Sequence, residues 1–269
     1  MNTPILVTGG TGTLGRHVVP RLRNAGCDVR VLSRRPHQAE DGIRYLIGDL
    51  ATGEGIAPAV DGVAAIVHCA GSYKGDAAAT RNLVQAALSR AGSPHLVYIS
   101  VVGADRIPIV SRVDRTMFGY FGSKLETERV VVDSGLPWTT LRATQFHDLF
   151  LTVARAMAKL PVVPVPAGFR FQPVDPDDVA ARLVQLTLGE PAGQVPDLGG
   201  PRAYTMADLL RGYLHANHRR RLIMPVWLPG QAARALRAGA NLTPDHADGT
   251  RTWEDFLVDR LGSPRVVPT

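Results

Sequence analysis

Two rhythms of apolar residues alternate along the first 145 positions. Short, nearly continuous apolar runs at Ile5–Thr8, Val29–Leu32, Arg44–Ile47, Ala65–His68, Leu96–Ser100 and Thr139–Arg142 predict six strands. Between them, three-and-four spacing predicts helices over about 13–25, 54–60, 76–91 and 116–134. Strands that are apolar throughout are covered on both faces, and strand–helix alternation demands crossover connections. The expected fold class is therefore α/β: a doubly wound parallel sheet of the Rossmann kind, with ligands at the carboxyl ends of its strands. On the 76–91 helix, Ala79, Leu83, Ala86, Ala87 and Arg90 are expected along one side, and the low bulk of Ala77–Ala79 implies close packing on the sheet.

After Arg142 the rhythm breaks. Pro161, Pro164, Pro166, Pro173, Pro176, Pro191 and Pro196 cut the chain into short pieces, leaving helices at about 147–159, 176–189, 205–216, 230–239 and 251–261. This change divides the chain into 1–145, the main domain, and 146–269, a small C-terminal lobe with some segments returning to the main core. Asp175, Asp177 and Asp178 precede an amphipathic helix, where carboxylates cap free amides, so no metal site is expected there. The run Leu222–Leu228 is either an apolar wall or lid of a pocket or the core of the lobe.

Composition narrows the classes. The 269 residues are 45% hydrophobic and 20% charged, ordinary for a core-forming protein. The net charge of +6 rests on arginine, since the lysines are Lys74, Lys124 and Lys159. A basic balance favours anionic ligands, yet the charge is scattered. The one dense run, His218–Arg221, is too short for a nucleic-acid footprint and reads as a solvated turn before a strand. Cys27 and Cys69 build neither a disulfide framework nor a metal spacing and are expected as small buried hydrophobes. The apolar run at 222–228 contains Pro225 and is far short of a membrane span. The first strand starts too early to leave room for a signal peptide. These features predict a cytoplasmic protein, monomer or homodimer, with a small-molecule substrate and no nucleic-acid, membrane or metal partner.

The chemistry begins at Thr8-Gly9-Gly10-Thr11-Gly12-Thr13-Leu14-Gly15, directly after a strand and opening a helix. Gly9 supplies a turn free of Cβ clashes, Gly12 lets backbone approach a diphosphate, and Gly15 lets the helix pack closely. Free amides at the helix start then face anionic oxygens. The end of the second strand should read the adenosine ribose; an acid there selects NAD. Here it carries Ser33-Arg34-Arg35, and a guanidinium pairs with a 2′-phosphate, so NADP(H) is favoured over NAD(H). Asp49, in Gly48-Asp49-Leu50, either accepts from the adenine amino group or caps the following turn.

These motifs, with His68-Cys69-Ala70-Gly71 and the pair Tyr120-x-x-x-Lys124, resemble the short-chain dehydrogenase/reductase superfamily, and within it the atypical, NmrA-like NAD(P)H-binding branch. The resemblance covers roughly residues 3–190. It implies an NAD(P)-binding Rossmann domain, a smaller substrate lobe, and an NADPH-dependent oxidoreductase passing hydride to a small carbonyl, quinone or enone-like substrate. The alternatives are an NADP(H)-binding redox sensor without turnover, or a nucleotide-sugar epimerase or dehydratase, which would retain NAD. By resemblance Gly9, Thr11, Gly12, Thr13, Leu14 and Gly15 hold the pyrophosphate and Arg34, with Arg35 beside it, the 2′-phosphate. Asp49 and Leu50 frame the adenine; Cys69, Ala70 and Gly71 line the nicotinamide ribose; and the segment with Thr144 and Phe146 closes over the nicotinamide. Tyr120 is the implied proton donor, and Lys124 lowers its pKa and holds the ribose. A serine or threonine is expected two residues past the fifth strand, where Val102 stands; Ser100 serves if the strand ends earlier. Gln145 and His147, with Asp148, follow the sixth strand near the pocket mouth; His147 either orients substrate or begins a helix in water.

Overall fold

The computed structural model describes residues 4–38, 41–71, 75–90 and 92–262. Seven parallel strands form the central sheet in the order β3-β2-β1-β4-β5-β6-β9. They are β1 (Ile5–Thr8), β2 (Val29–Ser33), β3 (Ile43–Ile47), β4 (Ala65–His68), β5 (His95–Val101), β6 (Trp138–Ala143) and β9 (Gly193–Gln194). Every predicted strand of the first half is present to within a residue at each end. The order reverses between β1 and β4, which are paired Ile5 to Ala65 through Thr8 to His68. That reversal opens the crevice in which ligands of such sheets sit.

Successive strand residues face opposite sides. Val7, Val31, Val67, Val97 and Leu141 meet α1 (Gly15–Asn24) and α6 (Pro176–Leu188) on one face. Leu6, Ile66, Leu96 and Tyr98 meet α2 (Ile56–Val60), α3 (Asp76–Leu88) and α4 (Arg112–Val132) on the other. Each fully buried aliphatic side chain contributes about 1.5–3 kcal/mol, so the sheet is anchored on both faces.

Caps set the helix starts. Ser111 and Asp114 form a capping box at α4, which begins four residues ahead of the predicted start at 116. Gly119 and Gly122 are absorbed inside that helix. Asp175 caps α6, accepting from the Asp177 amide, as expected of an acid before a helix. On α3 the buried stripe is Asp76, Ala77, Thr80, Leu83, Val84 and Ala87, while Arg90 is exposed. The stripe is rotated from the predicted one because two polar residues, Asp76 and Thr80, are turned inward. The predicted end of this helix at Ala91, Lys74, Glu40 and the tail after Gly262 lie outside the described residues.

The C-terminal part carries α5 (His147–Met157), β7 (Val162–Pro166), β8 (Arg170–Phe171), β10 (Tyr204–Thr205), α7 (Met206–Ala216), β11 (Leu222–Val226), α8 (Gln231–Arg237) and α9 (Trp253–Leu261). Its core gathers Phe150, Leu151, Leu209, Leu210, Tyr213, Trp253 and Phe256. The chain returns to the main sheet through β9 beside β6, and α6 packs against α1. The run at 222–228 is divided: Ile223 packs against the core of the lobe, while β11 pairs with β7 and leaves Leu222 and Met224 exposed. No helix among the described residues is long and apolar enough to cross a membrane.

Candidate active site

The glycine turn joins β1 to α1 at the point of strand reversal. Gly9 has φ +69°, and a Cβ there would lie 2.5 Å from the Ala70 amide nitrogen and 2.8 Å from the Cys69 carbonyl carbon. The turn is thus pressed against the segment leaving β4. A Cβ on Gly15 would sit 2.2 Å from the Gly9 carbonyl oxygen, so this glycine packs the helix onto the turn itself rather than onto the strand. Gly10, to which sequence reasoning gave no role, is needed against Val31, 2.7 Å from its Cβ position.

Thr11, Gly12 and Thr13 are exposed. The Gly12 amide donates to the Gly9 carbonyl, and Arg16 donates to Gly12. No described residue accepts from the amides of Thr11, Thr13, Leu14 or Gly15. Four donors at a helix N-terminus, with no side-chain cap, form a cradle for an anion. A dinucleotide's diphosphate fits that donor set.

At the carboxyl end of β2, Arg34 and Arg35 are both exposed. Ser33 Oγ accepts from the Arg35 amide at 3.2 Å and lies 3.0 Å from His37 Nε2, whose ring stacks on Tyr45 at 4.8 Å. Arg34 and Arg35 both follow the strand that pairs with β1, Thr8 opposite Leu32, so they leave the same edge of the sheet as the cradle. After β3, Asp49 Oδ1 accepts from the Ala51 amide at 2.8 Å, so one carboxylate oxygen makes the cap that was one of its two expected roles. Leu50 packs into the core, its carbonyl held by Asn82 Nδ2 at 2.8 Å.

The segment Cys69-Ala70-Gly71 is fixed from below. Thr80 Oγ1 donates to the Asp76 carbonyl and therefore accepts from His68 Nε2 at 2.9 Å, which leaves His68 Nδ1 to accept from Thr8 Oγ1 at 2.7 Å. Thr8 Oγ1 in turn accepts from the Ala70 amide at 3.4 Å. Burial holds the His68 imidazole neutral, down to about 3, with the Lys124 charge acting the same way. Cys69 is half-buried rather than enclosed, and burial pushes its thiol up to about 12.

Under Gly71 lies Lys124. Its ammonium donates to the Tyr98 hydroxyl at 3.1 Å and the Ile99 carbonyl at 3.4 Å, and pairs with Asp76 Oδ2 at 3.7 Å. Burial lowers the Lys124 pKa, opposed chiefly by Asp76. Tyr120, one turn earlier on α4, has its ring 5.8 Å from Lys124 Nζ. Its side chain is 36% exposed, and its phenol is pushed up to about 12 by burial and by the Asp76 carboxylate. The expectation that Lys124 lowers this pKa is corrected here: the ammonium is engaged by Asp76 and Tyr98, and the negative charge of Asp76 reaches the phenol. Asp76 was missed in the sequence because an inward-facing acid at a helix start looks the same as a solvated one, and Tyr98 and His68, on β5 and β4, because a polar end inside an apolar strand run looks like core.

Beyond this cluster the placements are mixed. Ser100 is buried on β5 beside Arg142 of β6, and its hydroxyl has no hydrogen-bond partner among the described residues. Val102 is fully buried, its amide donating to the Ala143 carbonyl. Thr144 is spent on structure, donating from Oγ1 to the Gln172 carbonyl at 2.5 Å. Phe146 is half-buried at the N-cap of α5, against the core over α1. Gln145 Oε1 is buried with no partner among the described residues. His147 begins α5, as one of its two expected places had it, but not in water. It is fully buried, stacked on Phe256 at 4.9 Å and on Trp253 at 6.0 Å, and faces neither water nor a pocket mouth. On α4, Val113, Met117 and Tyr120 stand at helical spacing and are all exposed, an apolar stripe ending at the phenol.

A family model described as NAD(P)H-binding matches residues 9–187. A reductase from Streptomyces griseus, named for a (4-alkanoyl-5-oxo-2,5-dihydrofuran-3-yl)methyl phosphate, is 32% identical over 209 residues, covering 76% of this chain and 70% of its own. Quinone oxidoreductase 2 of Escherichia coli is 28% identical over 216 residues, covering 76% and 71%. The crystal structure of the Escherichia coli NADPH-dependent quinone oxidoreductase, complexed with NADPH, superposes with a TM-score of 0.77 at 20% identity, covering 95% of this chain and 99% of that one. A nucleoside-diphosphate-sugar epimerase from Staphylococcus aureus superposes with a TM-score of 0.72 at 18% identity, covering 96% and 99%. At such identities the structural likeness is one of fold.

Proposed function

The chain belongs to the NAD(P)H-binding family of the short-chain dehydrogenase/reductase type, and from that premise we propose that it is an NADPH-dependent reductase of small, apolar carbonyl or quinone-like substrates. As an oxidoreductase it keeps company with reductases among its relatives. The observation supporting the cofactor choice is the pair Arg34 and Arg35, exposed after the strand next to β1, whose own end carries four amides from which no described residue accepts. An acid at that place would accept from a ribose hydroxyl; guanidinium groups answer a 2′-phosphate instead. This also speaks against a sugar epimerase with retained NAD.

When bound, the reduced nicotinamide supplies the hydride. The protein's part is to hold a proton where oxygen charge develops. A phenol raised to about 12 stays protonated across the physiological range and stands at the end of the apolar stripe of Val113 and Met117. Lys124 and Asp76 beneath it form a buried ion pair that fixes the floor under Gly71. Tyr120 is thus the proton donor in this reading, with Lys124 its electrostatic neighbour.

The second reading, a dinucleotide-binding sensor, is favoured by one feature: Val102 offers no hydroxyl, and that of Ser100 is buried. The test for both is NADPH oxidation, followed by loss of reduced-nicotinamide absorbance, against a panel of quinones, enones and small carbonyls. Turnover with at least one of them should fall about 10²- to 10⁴-fold in Tyr120→Phe, with NADPH binding retained. Unchanged turnover in Tyr120→Phe refutes the proton-donor role, and NADPH binding without any turnover favours the sensor.

A further inference from the structure

The ribbon formed by β7 and β11 is apolar on both faces. Val163, Val165 and Ile223 turn inward onto the core of the C-terminal lobe. The register places Leu222 beside Val162, Met224 beside Pro164 and Val226 beside Pro166, so these six share the opposite, outward face. Leu222 is 66% and Met224 48% exposed, and Val162 and Pro164 are exposed as well. Immediately beyond, Trp227 is 68% exposed with the Arg237 guanidinium 3.9 Å above its ring. A ribbon with one wet face normally places polar residues there. A solvent face with no polar residue on either strand marks a contact surface.

Cations frame one end of this face. Lys159 lies just ahead of β7, and Arg219, Arg220 and Arg221 lead into β11, all four exposed. Arg221 is tied to backbone carbonyls, donating to Ala158 and Arg220, and no described carboxylate pairs with any of the four. Lys159, Arg220 and Arg221 line a cleft of about 650 Å³ together with Pro161 and Leu222. Unneutralised cations beside exposed aliphatic and indole side chains are what an anionic lipid surface binds: the charges meet phosphates while apolar groups enter the headgroup–acyl boundary. A second copy of the chain would bring the same positive charges to the contact. Pro164 and Pro225 also deprive the ribbon of amides that strand addition would use. The shortness of the apolar run rules out spanning by it and leaves surface docking open.

We propose that the outward face of the β7–β11 ribbon, with Lys159 and Arg219–Arg221, docks the protein on the surface of an anionic phospholipid bilayer. The test is co-sedimentation of the full chain with phosphatidylcholine vesicles containing about one third phosphatidylglycerol, against phosphatidylcholine alone. Binding is expected to the anionic vesicles only, and to be lost in about 0.5 M salt. Arg219→Gln with Arg220→Gln should weaken the partition about 25-fold, each cation contributing about fivefold near an anionic surface. Leu222→Ser with Met224→Ser should abolish binding, while NADPH titration of every variant stays as in the parent and shows that the fold is intact. Absence of binding to anionic vesicles, or equal binding to phosphatidylcholine alone, overturns the proposal. So does a dimer in sedimentation equilibrium that Leu222→Ser with Met224→Ser dissociates while neither vesicle binds, which would make this face a contact between copies.

Discussion

Replacing Gly9 by alanine separates two costs that glycine avoids. The first is conformational: at φ +69° an L-residue sits in the left-handed region, at about 1 kcal/mol. The second is steric. The new methyl would lie 2.5 Å from the Ala70 nitrogen and 2.7 Å from its Cα, and both are backbone atoms that move only if the segment after β4 moves. Forcing a methyl into packed surroundings adds about 1–3 kcal/mol, for a total of about 2–4 kcal/mol. Gly26 is the control, with φ +82° and nothing within 4 Å of its Cβ position. Gly26→Ala should therefore lose only the conformational part. Urea unfolding of both variants, read as the midpoint at constant slope, gives the comparison. Because relief of the clash displaces Ala70 and Gly71, NADPH should bind Gly9→Ala at least about tenfold more weakly while Gly26→Ala binds as the parent does. Equal urea midpoints for the two variants would refute the close approach of the turn to Cys69 and Ala70.

Other substitutions probe the surroundings. Arg142 makes two bonds to Glu128, at 2.8 and 2.7 Å, with both side chains largely buried; Arg142→Met strands the carboxylate and should cost about 3–5 kcal/mol in urea unfolding, largely recovered by adding Glu128→Gln. Burial holds His147 down to about 4, while an unfolded histidine titrates near 6.5. Between those values the unfolded chain binds the extra proton, so stability is full above about pH 6.5 and falls by about 3 kcal/mol toward pH 4. His147→Phe, which keeps the stack on Trp253 and Phe256, should flatten that part of the slope in thermal melts compared with the parent; an unchanged slope would assign it elsewhere. Arg34→Ala should weaken NADPH about 10- to 100-fold and leave NADH unchanged in fluorescence titrations.

The fold was legible because the physics behind it is local. Near-continuous apolar runs such as Ile5–Thr8 and Ala65–His68 have one stable placement, inside a covered parallel sheet, and both are strands at those limits. The turn at Gly9–Gly15 was legible for the same reason, since its glycines answer nearby backbone. What escaped depends on distant partners. His147 reads as a helix-start residue, and only Trp253 and Phe256, more than a hundred positions later, enclose it. Asp76 carries no signal in the sequence beyond starting a helix, and it takes the burial of Lys124 forty-eight positions on to make it an ion-pair partner. Leu222–Leu228 reads as pocket wall or as core by composition, yet the ribbon it forms with β7 meets the lobe core on one face alone.

In the proposed reading, amides at the start of α1 from which no described residue accepts, and the guanidinium groups after β2, together bind a dinucleotide bearing an extra phosphate. Calorimetric titration of the full chain with NADPH and, separately, NADH tests it most directly. Heat of binding is expected for both, with an NADPH dissociation constant at least about tenfold lower. No heat with either nucleotide, or equal constants for the two, would contradict it.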